Sequence, residues 1–323
     1  MASILHLPDQ IGPHKISDWE PIAGDASSRR YWRVTIEGGV TAVLCRYPDQ
    51  WRSIVKRDLE VLVWLRERGI SVPSILVGRA DSVWVLLEDL GPVDGEQALR
   101  ETPPASRAAR AVGLTHPLFA LAALPVENLP DWNPALEQAF LRWELAGFEL
   151  WCLGATGQQR PARALQSWLD HLAASISDHP QGVCLRDFHI NNILLRADSN
   201  VGVIDVQDIR RGPDTYDLAS FLSDRAMPEL LSPRQRRIVA QHWADEVGAL
   251  PGWDRRLEAT TLQRALKVLG TFTFLCAKGM HHYRRWIPTT ATTAAELAKN
   301  LGAPAEAMSI LLDLAATGGF DVW

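Results

Sequence analysis

The chain has 323 residues, 47 % hydrophobic and 22 % charged, with a net charge of −5. This length predicts two lobes or domains, and the composition is that of a globular protein able to bury a sizeable core. Dispersed basic residues and the mildly acidic balance exclude an electrostatic case for a nucleic-acid partner, and no run approaches the roughly eighteen apolar residues of a membrane span.

Residues 19–47 read as β-rich. Tyr31–Ile36 and Thr41–Arg46 are short strands around Glu37-Gly38-Gly39, a hairpin signal. Ile54–Arg68 is helical, with Ile54, Val55, Leu59, Leu62 and Leu65 near one face and Gly69 as the stop. Ser82–Leu87 is a strand that runs into Glu88-Asp89-Leu90-Gly91-Pro92, a connector. From about residue 95 the pattern turns helical. Arg107–Leu124, Pro134–Leu153 and Ala162–Ser177 are expected helices. A short β region follows, with Ile193–Arg196 and Val201–Ile204 around a turn at Asp198-Ser199-Asn200. Helices resume over Tyr216–Arg225, Pro233–Val247, Arg255–Gly279 and Thr292–Asn300. The expectation is an α+β protein with a β-rich N-lobe over 1–91 and a mainly helical C-lobe over 92–323. No repeat or low-complexity segment interrupts it.

The four cysteines form no Cys-x-x-Cys pair, as expected of reduced thiols in a cytoplasmic protein. Residues 1–8 carry neither a basic segment nor a long apolar run, so no signal peptide is expected. No obligate protein partner is evident. His281-His282 has nothing nearby to complete a zinc set, and no G-x-S-x-G elbow supports a hydrolase triad.

The chemistry concentrates in Leu185-Arg186-Asp187-Phe188-His189-Ile190-Asn191-Asn192, followed by Val203-Ile204-Asp205. An aspartate, an asparagine five positions later and a second aspartate eighteen positions later are what a phosphoryl-transfer site needs. One carboxylate accepts the proton of an attacking hydroxyl; an amide oxygen and a carboxylate hold Mg²⁺ on nucleotide phosphates. A single turn aspartate would be read as bonding its own backbone; three at these spacings are not. Asp208 adds charge to the metal, contacts substrate, or is a solvated turn carboxylate. His189 touches phosphate or sugar, or is a hydrogen-bonded structural histidine. Asp217 favours the N-terminus of its own helix or buttresses the catalytic segment. Arg46 is placed to pair nucleotide phosphates with Glu60 orienting it, or is an exposed strand-edge arginine. Glu88 and Leu90 offer backbone groups to an adenine edge, or belong to a plain linker. Trp132, Trp143, Trp151 and Trp286, among thirteen tryptophans, are candidates for a sugar-stacking wall, with core packing the alternative for each.

Three blocks carry a family resemblance: Gly24-Asp25-Ala26-Ser27-Ser28-Arg29-Arg30-Tyr31; Arg186 to Asn192; and Val203-Ile204-Asp205-Val206-Gln207-Asp208 running to Asp217-Leu218. With these the chain resembles the aminoglycoside phosphotransferase-like kinases, relatives of the protein kinases. Within them it is most similar to the cell-wall-recycling sugar kinases that phosphorylate N-acetylmuramate and N-acetylglucosamine at the anomeric hydroxyl. The resemblance implies a two-lobed protein-kinase-like fold with ATP between the lobes. It implies Asp187 as the base, Asn192 and Asp205 as Mg²⁺ ligands, and Ser27 and Ser28 in the loop over the ATP phosphates. Asp217 then supports the catalytic loop, and Arg186, His189, Gln207 and Asp208 serve substrate or support roles. Leu185 stands where the family usually has His, Val206 replaces an aromatic residue, and Cys276-Ala277-Lys278-Gly279-Met280 departs from an Arg-Asp-Gly-Lys-like pattern.

The function expected is ATP- and Mg-dependent phosphorylation of a sugar hydroxyl, with C1 of an N-acetylated amino sugar as acceptor. One alternative acceptor is an aminoglycoside, an amino alcohol or another small hydroxylated metabolite. A further alternative is a non-catalytic, pseudokinase-like binding module, against which the joint presence of Asp187, Asn192 and Asp205 argues.

Overall fold

The computed structural model describes residues 8–22, 28–155, 161–196, 198 and 200–318. The strands and helices up to residue 101 are β1 (Gln10–Ile11), β2 (His14–Ile22), β3 (Arg30–Ile36), β4 (Val40–Arg46), α1 (Arg52–Glu67), β5 (Ile75–Gly78), β6 (Trp84–Glu88), β7 (Val93–Asp94) and α2 (Gly95–Glu101). Then come α3 (Arg107–Leu114), α4 (His116–Ala122), α5 (Gln138–Gly147), α6 (Leu153–Ala155), α7 (Arg163–Ser177), β8 (Gln181–Cys184), β9 (Ile193–Leu195), β10 (Val201–Val203) and β11 (Arg210–Pro213). The chain closes with α8 (Tyr216–Leu222), α9 (Met227–Leu230), α10 (Pro233–Val247), α11 (Trp253–Ala277), α12 (Ile287–Asn300) and α13 (Ala305–Thr317).

The chain forms two compact units, Met1–Gly95 with Asn191–Gln207, and Glu96–Ile190 with Asp208–Trp323. Asn191–Gln207 therefore groups with the N-terminal unit rather than with the rest of 92–323.

The first unit is built on a six-stranded sheet in the order β1-β2-β3-β4-β6-β5, with every pairing antiparallel. Strand alternation sorts its residues onto two faces. Val34, Ile36, Ala42, Leu44 and Leu86 cluster together, while Cys45, Tyr47, Val83 and Val85 meet Val55 of α1. Gly38 and Gly39 turn the β3–β4 hairpin at φ 95° and 78°, a region open to glycine without strain. A second sheet, β10-β9-β7, completes this unit.

The second unit is helical around one large core. Leu141, Leu145 and Phe148 of α5 and its π-helical extension, Leu169 and Leu172 of α7, Leu262, Leu266 and Leu269 of α11 and Ile310 of α13 share it. The only strands described here are β8 and β11, paired antiparallel with Cys184 opposite Arg210. This short ladder holds both ends of the segment that leads into the Asp187 motif and returns after Asp208.

Expected and observed elements differ where sequence context is short or broken. Arg107–Leu124 is two helices because Pro117 lacks an amide hydrogen at the start of α4. Pro134–Leu153 begins its helix only at Gln138. The strands β5, β7 and β11 and the helix α13 were not expected.

Candidate functional site

In the helical unit the Asp187 segment is clamped from several directions. Arg186 has φ 72°, and Asp205 in the other unit φ 59°; these are the only non-glycine residues with positive φ among those described. Such a backbone costs about 1–3 kcal/mol and persists only where neighbours dictate it. Asp217 dictates it at Arg186. Its carboxylate accepts the backbone N–H of Leu185 at 2.6 Å and of Arg186 at 2.9 Å. The Arg186 carbonyl accepts from Arg264 at 3.3 Å.

The Arg186 side chain enters a buried ion network. It donates to Glu144 at 2.7 Å and to Asp208, which also receives Arg210. Glu144 further receives Lys267 at 2.8 Å and Gln263 at 2.9 Å. Arg186 and Arg210 both lie over the Phe140 ring. Burial works against the Glu144 anion, but Lys267 and Arg186 outweigh it and hold its pKa at about 2.

Asp187 itself is 30 % exposed, and His189 Nε2 lies 3.6 Å from it. His189 Nδ1 is 3.5 Å from Asp224, an ion-pair contact without hydrogen-bond geometry. Burial would raise the Asp187 pKa, yet His189, Lys267 and Arg186 hold it well below the usual carboxylate range. Burial would lower that of His189, but Asp187 and Asp224 raise it above 6.5. Asp187 is thus an anion at neutral pH, with a hydrogen-bond acceptor partly open to solvent. Burial pushes Asp217 up to about 6, against the two backbone N–H groups that favour its anion.

The sheet unit carries Asn192 and Asp205. Asn192 ends the short 3₁₀ turn Ile190–Asn192, and its carbonyl accepts from Ile204 N at 2.9 Å, holding the two strand ends together. Asp205 is 39 % exposed, and its Oδ1 accepts from Arg29 and from Gln207, each at 2.7 Å. Arg29 also lies 3.7 Å from the buried Asp58 of α1, to which Tyr47 donates at 3.1 Å. The Tyr31 and Tyr47 rings flank the same guanidinium.

Arg46 donates to Asp49 at 3.1 Å and stacks on Trp84, while the exposed Glu60 faces Lys56 at 3.7 Å. Glu88 accepts from Ser74 N and Oγ at 3.0 and 2.7 Å and pairs with Arg196, and Leu90 is buried. Ser28 is exposed, whereas Ser27 lies outside the described residues. Arg29, Asp58, Glu144 and Asp224 were not singled out from sequence. A signal for two of them existed. Asp58 sits among buried Val55, Val61 and Leu65 of α1, and Glu144 among buried Leu141 and Leu145 of α5. A carboxylate on the apolar stripe of an amphipathic helix needs a buried partner.

An antiparallel-sheet unit and a helical unit, with an aspartate on a clamped loop between two paired strands, define a protein-kinase-like phosphotransferase fold. The chain belongs to the APH phosphotransferase enzyme family, whose model matches residues 18–258. It is a phosphotransferase that acts on an alcohol group. It is 29 % identical over 299 residues to the N-acetylmuramate/N-acetylglucosamine kinase of Pseudomonas aeruginosa, covering 86 % of this chain and 85 % of that protein. Its fold is similar to an aminoglycoside-3'-phosphotransferase of type VIII, with TM-score 0.54, 23 % identity and coverage of 77 % and 93 %. It is also similar to a Streptomyces rimosus aminoglycoside phosphotransferase in complex with ADP and streptomycin, with TM-score 0.52, 18 % identity and coverage of 75 % and 92 %. No helix among the described residues is long and apolar enough to cross a membrane.

Proposed function

We propose that this protein transfers the terminal phosphoryl group of ATP, with Mg²⁺, to the anomeric C1 hydroxyl of an N-acetylated amino sugar. The observation that carries the reading is the anionic, partly exposed Asp187 on a segment clamped by Asp217 and the Arg186 network. The similarity to an amino-sugar kinase over most of both chains supports the acceptor class.

Asp187 accepts a hydrogen bond from the acceptor hydroxyl and aims its oxygen at the γ-phosphorus. The new O–P bond forms as the bond from that phosphorus to the β–γ bridging oxygen breaks. ADP departs and the hydroxyl proton passes to Asp187. A carboxylate held below its usual pKa is a weak base, so most of its contribution is orientation, with proton transfer late in a loose transition state. Asn192 and Asp205 would hold Mg²⁺. One carboxylate and one amide oxygen suit an ion that takes its remaining ligands from phosphates and water. When bound, the ion neutralises charge on the phosphate oxygens. Arg29, anchored by Asp58, supplies a fixed cation beside Asp205 for the nucleotide phosphates.

The test is Asp187→Asn. The variant keeps its thermal midpoint and loses kcat by about 10²–10⁴-fold. Near-normal turnover would overturn the assignment. NMR of the product locates the phosphate, and phosphate on any carbon other than C1 would refute the anomeric claim.

A further inference from the structure

The segment that carries Asp187 is held along its length by one short helix. Asp217, near the start of α8, accepts the Leu185 and Arg186 amides at 2.6 and 2.9 Å. One turn on, Phe221 meets Phe188 with ring centroids 6.0 Å apart. Two residues past the helix end, the buried Asp224 lies 3.5 Å from His189. Positions 217, 221 and 224 follow the i, i+4, i+7 spacing of one helix face, and they engage the segment in its own chain order.

The far end of this clasp differs from the near end, because it reaches the Asp187 carboxylate through a titratable ring. His189 N donates to the Asp187 carbonyl at 2.8 Å, so the two residues form one tight turn, and its Nε2 lies 3.6 Å from the Asp187 carboxylate. Its Nδ1 faces Asp224 Oδ2, while Asp224 Oδ1 accepts from Ala226 N at 2.9 Å. Asp224 is also fixed through its backbone: its N–H donates to the Phe221 carbonyl at 3.3 Å, and its carbonyl accepts from Met227 N at 3.0 Å. A neutral imidazole has one N–H and one lone pair. Between two carboxylates it would turn the lone pair toward an anion, so the arrangement calls for the doubly protonated ring. Burial and Arg264 of α11 oppose that charge, and the two carboxylates outweigh them.

We propose that Asp224 is a positioning residue for phosphoryl transfer: through His189, held as an imidazolium between two carboxylates, it fixes the Asp187 oxygen that meets the acceptor hydroxyl. The proposal rests on Asp187 as the catalytic base. The experiment records kcat and KM against pH for the wild type, D224N and H189Q, with N-acetylglucosamine and MgATP. An NMR titration of the His189 ring, assigned by its loss in H189Q, runs beside it. Asn keeps an oxygen for the Ala226 amide, and thermal midpoints verify that each variant folds. Wild-type kcat is expected to fall as pH rises and His189 loses its second proton. In D224N that fall and the His189 titration both move to lower pH. Its kcat at neutral pH drops by about tenfold with KM values near wild type, as for an interaction that acts in the transition state. H189Q, which cannot titrate, shows no alkaline fall. A role in folding alone would move the thermal midpoint and leave the pH profile in place. A wild type without the alkaline fall, an H189Q that keeps it, or a His189 titration unmoved in folded D224N overturns the positioning role and leaves the kinase reading intact. An Asp187→Asn variant with near-normal turnover overturns the base assignment and the proposal together. A wild type inactive on N-acetylglucosamine counts against the sugar reading alone, and the NMR titration then decides the role of Asp224.

Discussion

At the scale of residues, buried carboxylates govern the candidate site. Asp217 is the clearest case, because burial lifts it to about 6 while its anion accepts both the Leu185 and Arg186 amides. Protonation takes away acceptor capacity from that clamp, so kcat/KM is expected to fall as pH drops through about 6. The stability effect has the opposite sign. The folded pKa lies above the unfolded value of 3.8, so acidification from about 6 toward 3.8 makes this group less destabilising. His189, raised above 6.5, also keeps its stabilising charge in that window, since such a contribution is lost only as pH rises. A pH–rate profile recorded beside thermal midpoints checks this: loss of activity without loss of fold is expected near pH 6. Unfolding in step with activity would contradict it. Arg29 gives a second residue-scale prediction. Arg29→Ala should weaken binding of a fluorescent ATP analogue about tenfold or more, as loss of a charge-assisted contact does. Arg46→Ala, whose guanidinium is turned to Asp49 and Trp84, should change it little. The reverse order would restore Arg46 as the nucleotide cation. Sequence could not choose between them. The β3–β4 register places Arg30 opposite Arg46, so Arg29 and Arg46 reach the same end of one hairpin, and tertiary partners decide which turns toward Asp205.

At the scale of elements, what was legible follows from periodicity and length. The β3–β4 hairpin, α1, α7 and α10 have runs long enough for apolar spacing to stand out, and α10 also carries a Ser232–Gln235 capping box. The strand β11 reads Arg-Arg-Gly-Pro and has no alternation to detect; its pairing with β8 exists only in the folded chain. Even so, it is one of the two strands that frame the Asp187 segment. The contact of α11 with α5 was equally unreadable. A Cβ added at Gly270 would lie 2.4 Å from the Gly147 carbonyl carbon and 2.6 Å from Phe148 N, both backbone atoms that cannot step aside. Gly270→Ala is expected to destabilise by about 1–3 kcal/mol. Gly147→Ala, whose Cβ would approach nothing nearer than 3.7 Å, should be tolerated. Urea denaturation of both variants tests the asymmetry; equal stabilities would show that the helices can part at no cost.

At the scale of the whole molecule, the motif is shared between compact units: Asp187 belongs to the helical unit, Asn192 and Asp205 to the sheet unit. A ligand that binds only the folded chain stabilises it by mass action, by about 2.7 kcal/mol at a hundredfold excess over Kd. ATP with Mg²⁺ is therefore expected to raise the thermal midpoint by several degrees, and ATP with EDTA by clearly less. Equal shifts would argue against Asn192 and Asp205 as ion ligands. The division into units also has a consequence in time. The strand β7 ends at Asp94, and its partner β9 begins only at Ile193. At a synthesis rate of about 5–20 residues per second, roughly a hundred residues separate their emergence by some five to twenty seconds. On the ribosome, the first unit to be translated is therefore the one that must wait, its second sheet unpaired until most of the helical unit's first half has been made.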